Sequence, residues 1–175
     1  MMPVPVRIGI PSSSEDNSPR FVVALSDASR RDLYRRLQLA EAEYRAQEVS
    51  WLALAKRLRQ DRSDPIPRLE LGASIDQFFT RLASHHGFIV TNQIEALTRA
   101  LGLHKSALDY IRRASRKFHL KDLRGRKVVW MQLQEMTDIR DPSKAQECLD
   151  LVLKGGIWSQ KQIRAFKRAA NKSQR

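Results

Sequence analysis

Between Ile94 and Trp130 the chain carries apolar residues and a glycine at the spacing that two short helices joined by a tight turn require. Thr91 and Asn92 offer an N-cap, and Ile94, Leu97 and Leu101 then recur at i, i+3 and i+7, one face of an α-helix. Gly102 falls where that helix has to stop, and glycine enters the left-handed region without the steric penalty that a Cβ brings. Leu103 plugs the turn. A second helix is expected from about Lys105 or Ser106 to Lys117. Leu108 and Ile111 would face the first helix, leaving Lys105, Ser106, Asp109, Tyr110, Arg112, Arg113 and Arg116 on the other faces.

Beyond it, His119 to Leu123 and Val128 to Leu133 are β-prone runs separated by Arg124-Gly125-Arg126-Lys127, which predicts a two-stranded hairpin with a basic tip. Helix, glycine turn, basic helix and basic hairpin in that order, over roughly residues 75 to 134, resemble the winged helix-turn-helix superfamily of DNA-binding domains. Thr98 stands where many such motifs carry alanine. The resemblance implies that the second helix enters the major groove and the wing touches the flanking backbone. The other reading is a three-helix core piece with a solvated hairpin, since winged folds also serve purely in protein docking. Charge separates the two. From His104 to Met131 nine Lys or Arg stand against two acids, Asp109 and Asp122, and packing does not ask for that.

The whole chain points the same way. Its formal charge of +13 over 175 residues makes a polyanion the simplest partner, and 42% apolar residues suffice for a core. No run approaches the ~20 apolar residues of a membrane span. Met1 to Ile10, interrupted by Pro3 and Pro5, is too short in apolar residues for a secretory signal, so no membrane is expected and the protein is placed in the cytoplasm, nucleoid-associated if bacterial. A single cysteine, Cys148, excludes an intramolecular disulfide and reads as a structural thiol.

The expected architecture is mainly α with a small β-hairpin wing. Residues 1 to 25 are a flexible arm or a short hairpin of Val4–Ile10 with Phe21–Leu25, and residues 26 to 63 are a long helix capped by Ser26 or Asp27. Its stripe of Leu33, Leu37, Ala40, Tyr44, Trp51, Ala55 and Leu58 serves either the core or a dimer interface. The heptad spacing of Leu37, Tyr44, Trp51 and Leu58 supports a homodimer. Asp64-Pro65-Ile66-Pro67 breaks that helix, and the winged domain is expected over residues 68 to 136, its first helix capped by Ser74 and ended by His85-His86-Gly87. Phe88-Ile89-Val90 fits a small third strand beside the wing. Residues 141 to 175 read as a helical hairpin, opened by Asp141-Pro142, its last helix capped by Ser159 with Ile163 and Phe166 as apolar positions, and closed by a basic tail that frays.

Chemistry for an enzyme is not apparent. His85, His86, His104 and His119 lack the partners of a helical zinc site, no glycine loop cradles phosphate, and no carboxylate pair is placed in a cleft, so no catalytic residue, cofactor, metal or small-molecule ligand is inferred. The reading is a non-enzymatic protein that binds double-stranded DNA, a regulator or a replication, partition or mobile-element accessory factor. Lys105, Ser106, Asp109, Tyr110 and Arg113 are the candidates for reading base edges. Arg112, Arg116, Lys117, Arg124, Arg126, Lys127, Lys161, Arg164, Lys167 and Arg168 are the candidates for phosphate. The alternative is a structural subunit of a nucleoprotein complex that holds RNA or single-stranded DNA along a basic surface; against it, the few aromatics lie mostly on apolar stripes.

Overall fold

The helical periodicities dominate the outcome. A computed structural model describes residues 20–23, 30–155 and 158–172, with eight helices and two short strands among them. In chain order these are β1 (Phe21–Val23), α1 (Arg30–Gln60), α2 (Ile66–His86), β2 (Phe88–Val90), α3 (Gln93–Leu101), α4 (Lys105–Lys117), α5 (Leu120–Leu123), α6 (Trp130–Thr137), α7 (Pro142–Leu153) and α8 (Gln160–Lys172). The expected pairing with Val4–Ile10, the cap at Ser26 or Asp27 and the last three residues lie outside the described ones. Among the described residues no helix is long and apolar enough to cross a membrane. Two compact units divide the chain: Met1–Ala53 with Ser74–Lys105, and Leu54–Ala73 with Ser106–Arg175.

The first unit is organised by rings. Trp51 of α1 lies edge-on to Phe78 at 5.4 Å between centroids and to Tyr44 at 5.7 Å, and Phe21 of β1 meets both Tyr44 and Phe88 edge-on. Such T-shaped pairs add to the burial of area because the positive edge of one ring faces the negative face of another. Ser74 accepts hydrogen bonds from Trp51 Nε1 (3.1 Å) and Gln47 Nε2 (3.0 Å), so it sits inside α2 and does not cap it. That helix begins nine residues earlier than expected because Pro67 falls in its first turn, where the missing N–H has no intrahelical partner to lose, and Asp64 Oδ1 accepts from Ile66 N. β2 pairs antiparallel with β1, Val22 opposite Ile89, and not with a wing. α3 ends as the sequence requires: Gly102 adopts φ +60°, and the N–H groups of Gly102 and Leu103 close on Arg99 O and Thr98 O.

The second unit is built on aliphatic side chains. Leu69, Ala114, Phe118, Leu123, Leu133, Met136, Ile139, Cys148, Leu149 and Ile163 form one buried cluster, with Trp158 and Phe166 against its edge. Cys148 lies fully within it, and burial first, then the neighbouring Glu147 charge, pushes its thiol up to about 11, a structural sulfur. α7 opens on Asp141, whose Oδ1 accepts from Ser143 N at 2.8 Å, with Pro142 at the first helical position. At Gly72 of α2 a Cβ would meet Ile111 O and Ser115 Oγ, each at 2.6 Å, so glycine is what lets α2 and α4 approach so closely.

The expected wing does not form. The β-prone runs that predict a wing form helices: Leu120–Leu123 is one turn of helix, and Trp130–Thr137 is α6. Leu133 and Met136, three residues apart, are buried on one side of α6, while Gln132 Oε1 accepts from Val129 N at 3.0 Å at its start, and those interactions outweigh the β-propensity of Val128 to Trp130. The final helix expected after a Ser159 cap is present, and the basic segment does not fray over residues 160 to 172. It is α8, fixed by the fully buried Ile163 and by a reciprocal Ser159–Gln162 cap in which Ser159 N donates to Gln162 Oε1 at 2.8 Å.

Candidate nucleic-acid interface

The charge is divided unequally. The first unit holds ten Lys or Arg against nine Asp or Glu, whereas the second holds 22 against ten, so +12 of the formal +13 belongs to the second unit. Within that unit 12 of the 22 cations fall on α4, the α5–α6 turn and α8.

On α4 the buried side is Leu108, Ile111 and Ala114, and Arg113 and Arg116 are exposed, with Arg112 half-buried between. The carboxylate of Asp138, at the C-terminus of α6, organises one edge of this helix. It accepts from Tyr110 Oη at 3.1 Å and from Arg113 Nη2 at 2.8 Å, and the Arg113 guanidinium lies 5.0 Å from the Tyr110 ring centroid. Two of the base-reading candidates are therefore held as one stacked pair. Ser106 and Asp109 stand one and four residues into α4, with Ser106 exposed and Asp109 half-buried. Lys105 stands at the helix start, 4.0 Å from Glu95.

Lys117 is turned inward. Its ammonium donates to Thr137 O at 2.6 Å and also to Ile139 O, capping the C-terminal end of α6, where a cation is favoured by the helix dipole. Burial, and then the Arg113 charge, push its pKa below the ordinary lysine value. That structural position separates it from the other phosphate candidates.

The α5–α6 turn takes the place of the wing. Gly125 sits at φ +74° with open space around it, and Arg124, Arg126 and Lys127 are all exposed. Arg124 Nη2 lies 3.9 Å from Glu70, which also accepts from Arg57 at 3.1 Å; Arg126 and Lys127 form no ion pair with described residues. Behind the turn, Arg68 stacks on Trp130 at 5.2 Å and donates to Asp64 O at 2.6 Å, and Trp130 N donates to Ser63 O at 2.7 Å, which ties the start of α6 to the α1–α2 connection.

On α8 some cations are held by a carboxylate and others are not. Glu135 of α6 accepts from Lys167 Nζ at 2.6 Å, Arg164 Nε at 2.7 Å and Gln160 Nε2 at 3.0 Å. Burial pushes the Glu135 carboxyl up, but these bonds together outweigh it and hold it below its ordinary range. Lys161 and Arg168 are exposed and form no ion pair with described residues.

Sequence reasoning did not find Glu135 and Asp138, which arrange the cations from 25 to 32 residues away. It placed Leu37, Tyr44, Trp51 and Leu58 at a dimer interface or in the core. All four are buried within the chain itself, so they offer no exposed stripe to a second copy. Comparison with protein-family models, curated proteins and solved structures finds no match to this chain.

Proposed function

We propose that this protein binds double-stranded DNA without catalysing a reaction on it, as a regulator or an accessory factor of replication, partition or mobile elements. In this reading α4 is the second helix of a helix-turn-helix and lies in the major groove. The observation that carries the proposal is the confinement of +12 of the charge to the unit that contains α4 from Ser106 onward, the α5–α6 turn and α8. Gly102 in the left-handed region, followed by a new helix at Lys105, supplies the turn. Tyr110 and Arg113, ordered by Asp138, are fit for directional contacts to base edges. Arg112, Arg116, Arg126 and Lys127 then serve the phosphates.

Duplex is favoured over single strands because large aromatic side chains are engaged elsewhere. The rings of Phe21, Tyr44, Trp51, Phe78 and Phe88 pack on one another, Trp130 lies under Arg68, and Trp158 packs on Phe166. Unpaired bases would find few platforms to stack on. Competition among duplex DNA, single-stranded DNA and RNA of equal length, at one fixed salt concentration, tests this. Duplex is expected to displace the others, and preferential binding of RNA or single strands would replace the reading with that of a nucleoprotein subunit.

A further inference from the structure

We propose that the outer face of α8 is a second DNA-contacting surface, one that follows the phosphate backbone of a duplex without reading its sequence. The inference rests on the duplex-binding reading above and adds to it a site outside the helix-turn-helix. Lys161, Arg164, Arg168 and Lys172 recur at i, i+3, i+7 and i+11, which places them on one face of α8, and all four are exposed. No acidic residue occurs in the helix. An ordinary solvated helix mixes signs, as α1 does where Arg36 pairs with Asp32 at 2.7 Å.

Of this row the carboxylates at α6 engage Arg164 alone. Glu135 and Asp138 reach Lys167, which lies on the flank, and Glu135 takes Arg164 through its Nε. Lys161, Arg168 and Lys172 form no ion pair with described residues. The row extends over eleven residues, about 16 Å at 1.5 Å per residue, and a DNA strand presents a phosphate every ~3.4 Å, so about five phosphates lie along it. Ala165 and Ala169 are exposed beside the cations, and their small side chains let a backbone approach. An anionic membrane fits less well, because the opposite face of α8 is already buried through Ile163 and Ala170 and has no apolar side left to insert.

The test uses the full chain with Lys161→Gln, Arg168→Gln and Lys172→Gln combined, and reads the slope of log affinity against log salt on a random-sequence duplex. Each lost phosphate contact removes about 0.9 from the slope, so a fall of roughly 2 to 3 is expected, with thermal melting unchanged. An unchanged slope in a variant that melts normally overturns the inference. So does loss of binding to vesicles of phosphatidylserine and phosphatidylcholine with the DNA slope intact, since that assigns the face to a membrane. If the triple variant melts early, Ala169→Glu decides, with a weakened duplex affinity expected and an unaltered one overturning the inference. Arg112→Gln with Arg116→Gln is measured alongside. A reduced slope there and none from α8 removes α8 alone, whereas a wild-type protein that binds no duplex removes both the function and this surface.

Discussion

The two units solve the same folding problem with different materials. One packs six aromatic rings, Trp51 among them, and carries almost no net charge; the other packs aliphatic side chains around Leu133, Met136 and Leu149 and carries +12. Both are helical and both bury most of their apolar stripes, so burial explains neither the excess of cations nor its location. A charge excess of that size costs the compact state self-repulsion, and the second unit offsets part of it with Glu135, Asp138 and Glu70, each placed between two or more cations. Carboxylates placed at those points order particular cations and leave the remainder facing solvent. That arrangement suits a surface that meets a polyanion.

The largest expected effect separates stability from binding. Trp51→Ala deletes the ring at the centre of the first unit together with its hydrogen bond to Ser74, and should cost about 3 to 5 kcal/mol in chemical denaturation. At a temperature where the variant is still folded, the salt dependence of its DNA binding should match that of the wild type. A changed slope would show that the aromatic unit takes part in binding and would break the division of labour.

What the sequence discloses follows from how local the cause is. The α3 stop at Gly102, the extent of α4 and the Asp141–Pro142 start of α7 depend on residues within one turn of each other, and each is found where the spacing puts it. The wing fails because Val128-Val129-Trp130 is β-prone by itself, and only the burial of Leu133 and Met136 against α7 and α8 makes the helix the better choice. The spacing of those two residues was the available signal. Ser74 misleads as a cap because the Pro67 that precedes it is compatible with a helix that has just begun. At the candidate interface the cations are legible from composition. Their sorting is not: which are held and which are left depends on Asp138, 25 residues from Arg113 of α4, and on Glu135, 29 residues from Arg164 of α8.

A smaller effect sharpens the comparison within the charged unit. Arg124→Ala, Arg126→Ala and Lys127→Ala together remove the exposed cations of the α5–α6 turn, where Gly125 has open space around it and Arg124 alone of the three has an ion-pair partner, Glu70 at 3.9 Å. Affinity for all duplexes should fall alike, and the salt slope should lose about 0.9 for each phosphate contact. Melting should stay within about 0.5 kcal/mol of wild type. If a preferred sequence loses more than a random one, the turn reads bases and its role as a backbone contact is refuted.

The smallest effect concerns the acid limb of stability and distinguishes the ion pairs of the two units. In the first unit the Lys and Arg pairs are open to solvent, as with Lys105 and Glu95 at 67% and 57% side-chain exposure, and such pairs contribute little. Glu135 is 13% exposed and takes both Arg164 and Lys167. Its carboxyl is held below the ordinary range, so it gains more from ionisation in the folded state than in the unfolded one, where its pKa is about 4.3. The stabilisation is complete above that unfolded value and disappears as pH falls from there through the lower folded value. Glu135→Gln should therefore melt earlier at pH 7, by an amount on the order of 1 kcal/mol, and should lose less stability than the wild type as pH falls below about 4.5. Melting curves that run parallel for the two proteins down to pH 3 would mean that the carboxylate of α6 stabilises the second unit no more than an exposed pair stabilises the first.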